Sequence, residues 1–263
     1  MRIAIAGKGG TGKTTIAGTL ARALARAGDR GVLAIDADTN PNLASVLGIS
    51  REDAEELVTM PRNLMERRTM EDGTVKQFFT GDAEALVGEF GVVGPDGVRL
   101  MVMGKVGHAG SGCLCSAHAS VRGFLGEISS KPTSDRHVIV DMEAGLEHLS
   151  RGTGRHVSRI VAVLEPYYRS METARNVVSL ARDLGVNDIV VLANKVRDEQ
   201  DREAIGEFCD AHDMSLIGSI PFDLALANVE RRGGAPIDAI PDSPAVRAIV
   251  GLADSLTAEG LPA

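Results

Sequence analysis

Short, nearly continuous apolar runs alternate with longer segments of helical period along most of this chain. The runs at residues 2–6, 30–36, 98–103, 137–141, 159–165, 188–194 and 215–220 carry apolar side chains at successive rather than alternate positions. Such runs predict strands buried on both faces, the condition of a parallel sheet covered by helices. Between them, apolar positions three and four apart predict helices over residues 13–27, 116–129, 169–184, 199–211, 224–231 and 244–256. The alternation predicts an α/β fold, one mostly parallel sheet with helices on both faces. Ligands of such sheets bind beyond the carboxyl ends of the strands, where Gly7, Asp36, Asp141 and Asn194 all fall. The stretch 51–112 is less regular, with charged helix fragments at 52–57 and 63–68 followed by glycine-rich turns. No linker or repeat divides the chain, so residues 1–263 read as one domain, with 258–263 a frayed tail.

The first predicted strand runs into Gly7-Lys8-Gly9-Gly10-Thr11-Gly12-Lys13-Thr14-Thr15. A strand, a glycine-rich loop and a helix start make a phosphate cradle. The glycines let backbone N–H groups turn inward, and the helix dipole favours an anion. Gly9, Gly10, Thr11, Gly12 and Thr15 would line it. Lys13 would reach the β- and γ-phosphates, and the Thr14 hydroxyl would ligate Mg²⁺. Gly7, Gly9 and Gly12 also satisfy the weaker dinucleotide pattern, with Asp36 as its ribose acid. Lys13-Thr14 separates the two, since a dinucleotide loop needs neither side chain while a metal-bound triphosphate needs both. The predicted cofactors are ATP or ADP with Mg²⁺.

Acids follow two strands. Asp36 and Asp141 end apolar runs, and Asp38 stands on the adjoining loop. A carboxylate on a rigid strand end can hold the Mg²⁺ shell, and one further out can orient the attacking water. Asp36 and Asp141 are the metal candidates, and Asp38 the water-positioning one. Asn194-Lys195-Val196-Arg197 has the form of the N-K-x-D base-reading motif, but Arg197 replaces the acid that accepts guanine's hydrogens. Adenine is therefore favoured, with Asn194 and Lys195 beside the base and Pro221-Phe222-Asp223 wrapping it.

Charge narrows the partners. Net charge is −8 and aromatic content 3%, which argues against nucleic acid, whose phosphates want a basic face and whose bases want stacking platforms. No apolar stretch is long enough to span a bilayer, and the first residues enter a strand directly. A cytoplasmic protein without membrane or nucleic-acid partners is expected. In that compartment the three cysteines are not a disulfide framework. Cys113 and Cys115 flank one residue, and in extended backbone both sulfurs would point to the same side and grip one ion. On a helix they would diverge, so the pair is expected on a loop before the 116–129 helix. Two thiolates fill half of a four-coordinate shell, and a two-fold dimer would supply the rest. Two unrelated thiols is the alternative. Cys209, on a helical pattern, reads as a packed small hydrophobe, and His118 as a surface or outer-shell residue.

The Lys8/Lys13 pair resembles the deviant Walker A box of the ATPases that include MinD, ParA and the nitrogenase iron protein. That resemblance implies a homodimer closing face to face on ATP, with Lys8 reaching the partner's phosphates and the Gly145 N–H sensing the γ-phosphate. Cys113/Cys115, the run from Asp141 to Thr153 and Asn194–Arg197 further resemble the maturation ATPases of carbon monoxide dehydrogenase, the CooC family. This second resemblance implies an ATP-driven metallochaperone. It would bind Ni²⁺ or Zn²⁺ at the cysteine pair and insert nickel into a client enzyme of the carbon monoxide dehydrogenase type. Two other classes stay open. A MinD- or ParA-like positioning ATPase would want a basic amphipathic C-terminal helix or a basic surface, whereas the tail sets one arginine, Arg247, against Asp254 and Glu259. An iron-protein-like electron-transfer reductase would want two cysteines well separated in sequence.

Overall fold

Successive residues of the first strand point to opposite faces, and four of them are buried in two cores, Ile3 and Ile5 in one, Ala4 and Ala6 in the other. Both faces of that strand therefore carry helices. A computed structural model of the protein describes residues 1–28, 30–61, 64–103, 115–130, 136–144 and 152–258. Its strands are β1 (Arg2–Gly7), β2 (Gly31–Ala37), β3 (Met65–Thr69), β4 (Val75–Phe79), β5 (Val92–Val93), β6 (Arg99–Val102), β7 (Arg136–Met142), β8 (Arg159–Leu164), β9 (Ile189–Val196) and β10 (Leu216–Pro221). Its helices are α1 (Lys13–Ala27), α2 (Leu43–Leu47), α3 (Arg51–Glu55), α4 (Ala83–Phe90) and α5 (Cys115–Ser130). They continue with α6 (Tyr168–Asp183), α7 (Glu199–Ala211), α8 (Leu224–Arg231), α9 (Pro236–Ala239) and α10 (Pro244–Ala258).

Eight strands form one sheet in the order β10-β9-β8-β1-β7-β2-β6-β5. Every pairing is parallel except β5 on β6, a two-residue edge strand. The α/β architecture expected from the alternating pattern is the one found. Strand β1 lies between β7 and β8, so the glycine loop that follows it opens at the middle of the sheet's carboxyl edge. Leu20 and Leu24 of α1, Leu43 and Leu47 of α2, and Val246 and Ile249 of α10 pack with Ile3 and Ile5. Phe124 and Leu125 of α5, Val177 of α6 and Ile205 of α7 fill the opposite face with Ala4 and Ala6. Cys209 is buried in that second core and its thiol is pushed up to about 11 by burial, as a packed hydrophobe's would be.

Helix α1 is tied down by charge as well as by packing. Arg22, 2% exposed, meets Asp96 and Asp238 and donates to the Leu47 carbonyl at 2.7 Å. Its charge is thus offset on three sides, which burial of a guanidinium requires.

The insert departs from expectation. Residues 63–68 were expected to be helical from their charged, helix-forming composition, but Met65–Thr69 is strand β3, paired antiparallel with β4. The turn between them decides this. Gly73 takes φ +78° and Asp72 accepts from the Thr74 N–H, while Met70 N–H bonds Thr74 O at 2.8 Å. The hairpin also has a tertiary anchor that no local propensity records. Phe79 meets Phe124 of α5 edge to face at 6.5 Å, and the bare backbone of Gly123 lets Met65 and Phe79 come close. Helix α5 begins at Cys115, so that residue opens the helix instead of lying on the loop before it; Cys113 lies outside the described residues.

Phe124 is fully buried and joins the hairpin to the sheet core. Phe124→Ala is expected to cost about 3–5 kcal/mol, seen as a lower midpoint in urea and a lower Tm, with early protease cutting within the β3–β4 hairpin.

Candidate nucleotide site

A phosphate cradle aims its N–H groups inward, so its carbonyls face outward and must find donors elsewhere. Here each has one. Lys8 O accepts from the Thr11 N–H and hydroxyl, the latter at 2.8 Å, and from the Lys13 ammonium at 3.2 Å. Gly10 O accepts from the Lys195 ammonium at 2.6 Å, and Thr11 O from the Asn194 amide at 2.7 Å. Gly10 and Gly12 take φ of +82° and +89°, and a Cβ on Gly12 would lie 2.5 Å from the Asn194 amide nitrogen. Lys195 itself takes φ +60°, an uncommon conformation for a side chain with a Cβ, at the point where it turns onto the loop. Asn194 and Lys195 line the cleft beside the loop, and their polar atoms hold the loop's backbone.

Lys13 is buried within the cradle. Burial lowers its pKa, while Asp141 and Asp38 pull it up. Thr14 is hydrogen-bonded to Asp141, which is 1% exposed and whose Oδ1 finds no partner among the described residues. An orphaned carboxylate oxygen beside a threonine hydroxyl fits a divalent cation. Asp36 accepts backbone donors with both of its oxygens. Its Oδ1 accepts from the Asp38 N–H at 3.1 Å, and its Oδ2 from Asn42 and Leu43 N–H groups at 2.9 Å each. It folds the loop after β2 around itself. Asp38 stands half-buried on that loop and accepts from the Asn40 N–H at 2.9 Å. Thr39 then bonds Glu143, just beyond β7, at 2.8 Å, joining the segments after β2 and β7.

The cleft beside the loop is lined by Gly10, Gly12, Thr15, Asn194, Lys195, Pro221, Phe222, Asp223, Leu226 and Glu230. Asp223 accepts from the Ala225 N–H and caps α8. Arg197, the residue that breaks the N-K-x-D pattern, lies over the Phe222 ring at 5.6 Å. Three partners escaped sequence reasoning. Glu230 accepts from the Thr15 hydroxyl, Glu165 pairs with Lys195 at 2.6 Å, and Tyr167 donates to Glu165 at 2.7 Å. Glu230 lies 215 residues from Thr15 and within no motif. Gly145 and Cys113 lie outside the described residues, as do the side chains of Cys115 and His118. Among the described residues no three His, Cys, Asp or Glu side chains gather as a metal cluster.

A strand, glycine loop and helix at the centre of a parallel sheet, a buried loop lysine and an acid with an open oxygen define a P-loop ATPase. The CobQ/CobB/MinD/ParA nucleotide binding domain matches residues 3–237, and the chain belongs to that family. Over 244 residues it is 42% identical to the carbon monoxide dehydrogenase accessory protein CooC of Rhodospirillum rubrum, spanning 92% of this chain and 91% of that one. An uncharacterized ATP-binding protein of Methanocaldococcus jannaschii is 36% identical over 230 residues, 85% of this chain and 86% of its own. Among solved structures, the MinD cell division protein of Aquifex aeolicus superposes with a TM-score of 0.70 at 23% identity, covering 99% of this chain and 98% of that one. MinD from Pyrococcus horikoshii, complexed with Mg-ADP, gives 0.69 at 22% identity, covering 97% and 95%. At those identities the two structures speak for the fold.

Burial, then the neighbouring Asp36 charge, pushes the Asp141 carboxyl up to about 7, and burial pushes Asp36 up to about 6. The folded chain therefore holds protons that the unfolded chain has released, so stability without nucleotide falls as pH rises from about 4 to 7. Asp141→Asn, which removes the buried charge, is expected to match the wild type at pH 4. At pH 8 it should melt roughly 3–8 °C higher, at about 2–4 °C per kcal/mol for a domain of this size. Calorimetry at the two pH values checks this.

Proposed function

We propose that this chain is an ATP-dependent metallochaperone which dimerises on nucleotide and metal and inserts nickel into a client enzyme of the carbon monoxide dehydrogenase type. The observation that carries the reading is the 42% identity to CooC across 92% of the chain. The composition of the loop, with Lys8 as well as Lys13, supports it.

In this reading Lys13, on the first turn of α1, holds the β- and γ-phosphates, and the inward N–H groups of the loop take the remaining oxygens. Thr14 and Asp141 would hold Mg²⁺, with Asp36 placing the loop beside it; the bound ion would offset phosphate charge. Asp38 orients the attacking water. The adenosine lies in the cleft between Asn194-Lys195 and Pro221-Phe222-Asp223, and the Gly145 N–H reads the γ-phosphate. Lys8 crosses to the phosphates of a second copy, where a cation stabilises the charge of phosphoryl transfer as an arginine finger does. Cys113 and Cys115 of each copy together hold the nickel cargo, or zinc in its place. Hydrolysis opens the dimer and loosens the metal. ATP and metal must then tighten each other by the same factor. The partners are a second copy and the client enzyme. No helix among the described residues is long and apolar enough to cross a membrane, and the net charge of −8 does not suit nucleic acid.

Lys8→Ala is expected to lower ATP turnover by about 10³-fold, the scale of losing a charge supplied across an interface, while ADP affinity stays within about twofold in calorimetry. A Cys113→Ala/Cys115→Ala protein should lose stoichiometric Ni²⁺ and Zn²⁺ binding in equilibrium dialysis. Metal still bound one per dimer would remove the cysteine pair from the account.

A further inference from the structure

Lys8 and Lys13 leave the same loop but occupy different surroundings. Lys13 turns into the cradle, where Asp141 and Asp38 act on it. Lys8 stays half-buried at the rim, and its ammonium lies over the Tyr167 ring, 5.6 Å from the centroid. The ring in turn is held. Tyr167 donates its hydroxyl to Glu165 Oε2 at 2.7 Å, and Glu165 Oε1 pairs at 2.6 Å with Lys195, which grips Gly10 O. Glu165 is 7% exposed and its N–H bonds the Ser170 hydroxyl at 3.0 Å, so the chain of contacts rests on rigid backbone. Tyr167 is 41% exposed and Tyr168 68%, so the ring reaches solvent on the carboxyl edge of the sheet, beside the loop.

We propose that Tyr167 is the positioning residue for Lys8: its ring, oriented by Glu165, holds the lysine ammonium outside its own phosphate cradle and facing a second copy. The inference rests on the reading of Lys8 as a residue acting across a dimer. A lysine side chain has four rotatable bonds and loses much of its freedom when one geometry is required. Left alone, Lys8 would also be drawn toward the acids around its own cradle. The face of an aromatic ring attracts an ammonium within about 6 Å without neutralising it. The charge thus stays available to an incoming phosphate, and part of the ordering is done before the dimer forms. One ammonium, that of Lys195, contacts both Gly10 O and Glu165, so the ring's support is linked to the cradle.

The test is steady-state ATP turnover by Tyr167→Leu, Tyr167→Phe, Lys8→Ala and the Lys8→Ala/Tyr167→Leu double variant, each with ADP affinity and Tm measured. Tyr167→Leu is expected to lower kcat about two- to fivefold, the weight of an exposed cation–π contact, with KM and ADP affinity unchanged. Tyr167→Phe, which keeps the ring face, should restore kcat to within about twofold of wild type. In the Lys8→Ala background Tyr167→Leu should have no further effect, as two residues acting as a unit require. A wild-type or raised kcat in Tyr167→Leu, with Lys8→Ala inactive, would overturn the positioning role and leave the dimer reading standing. A fall in ADP affinity matching the fall in kcat, or an equal loss in the Lys8→Ala background, would mean that Tyr167 only supports the loop, and would also overturn it. Full turnover in Lys8→Ala would instead sink the reading beneath it.

Discussion

The glycine loop after β1 can present its N–H groups to an anion only if its carbonyls are satisfied from outside. Buried or crowded carbonyls without donors cost roughly 1–3 kcal/mol each, and the loop's glycines have no side chains with which to supply them. The donors come from elsewhere in the chain and from different distances. Thr11 and Lys13 serve Lys8 O locally, while Asn194 and Lys195, at the end of β9, serve Thr11 O and Gly10 O. The cradle is therefore a product of the parallel sheet. Strand β9 is next to β8 and β8 next to β1, and that order alone brings residue 194 to residue 11. The uncommon φ of Lys195 and the bare Cα of Gly12 are local adjustments to the same constraint.

A second consequence is electrostatic. The cradle sits above buried acids, and Asp141 and Asp36 are both raised by burial. Lys13 meets that negative field from above and is itself lowered by burial. The site is thus assembled from groups that are poorly compensated by one another and would be compensated by a polyanion with a divalent cation. The strain is held in place by packing remote from it. Arg22, 2% exposed, joins α1 to Asp96, Asp238 and the end of α2. One helix carries the phosphate loop at its start and this buried ionic anchor near its end, and α2 closes the loop that Asp36 folds.

Not every feature of the site was equally legible. The phosphate loop, the acids after β2 and β7 and the asparagine after β9 each lie within a few residues of a strand end. Strand ends in a parallel sheet share one edge, so their convergence could be read from the alternation of elements. Arg197 showed as a broken base-reading motif, but that it covers Phe222 had no local signal. Glu230 and Thr15 are 215 positions apart, and Glu165 meets Lys195 across neighbouring strands. Such contacts depend on which strands pair and on how far each helix runs, information that no window of sequence contains. Composition misled for β3, where exposed charged residues favour a helix and the Asp72-Gly73 turn with the Phe79–Phe124 contact imposes a hairpin.

The amino-acid sequence by itself determined the α/β class, the sheet's double burial, the loop lysines and the preference for adenine, because each follows from short-range period, spacing or the presence of one chemical group. It also named Cys113 and Cys115 as a pair, through spacing alone. Tertiary structure decided what each polar group does. Asp36 shapes a loop through three backbone N–H groups, Asn194 and Lys195 hold the cradle's carbonyls, and the Tyr167 ring lies under the Lys8 ammonium. A side chain's chemistry is written in its residue type, but its partner is whichever group the packed backbone brings within about 3 Å, and that distance exists only once the sheet has formed.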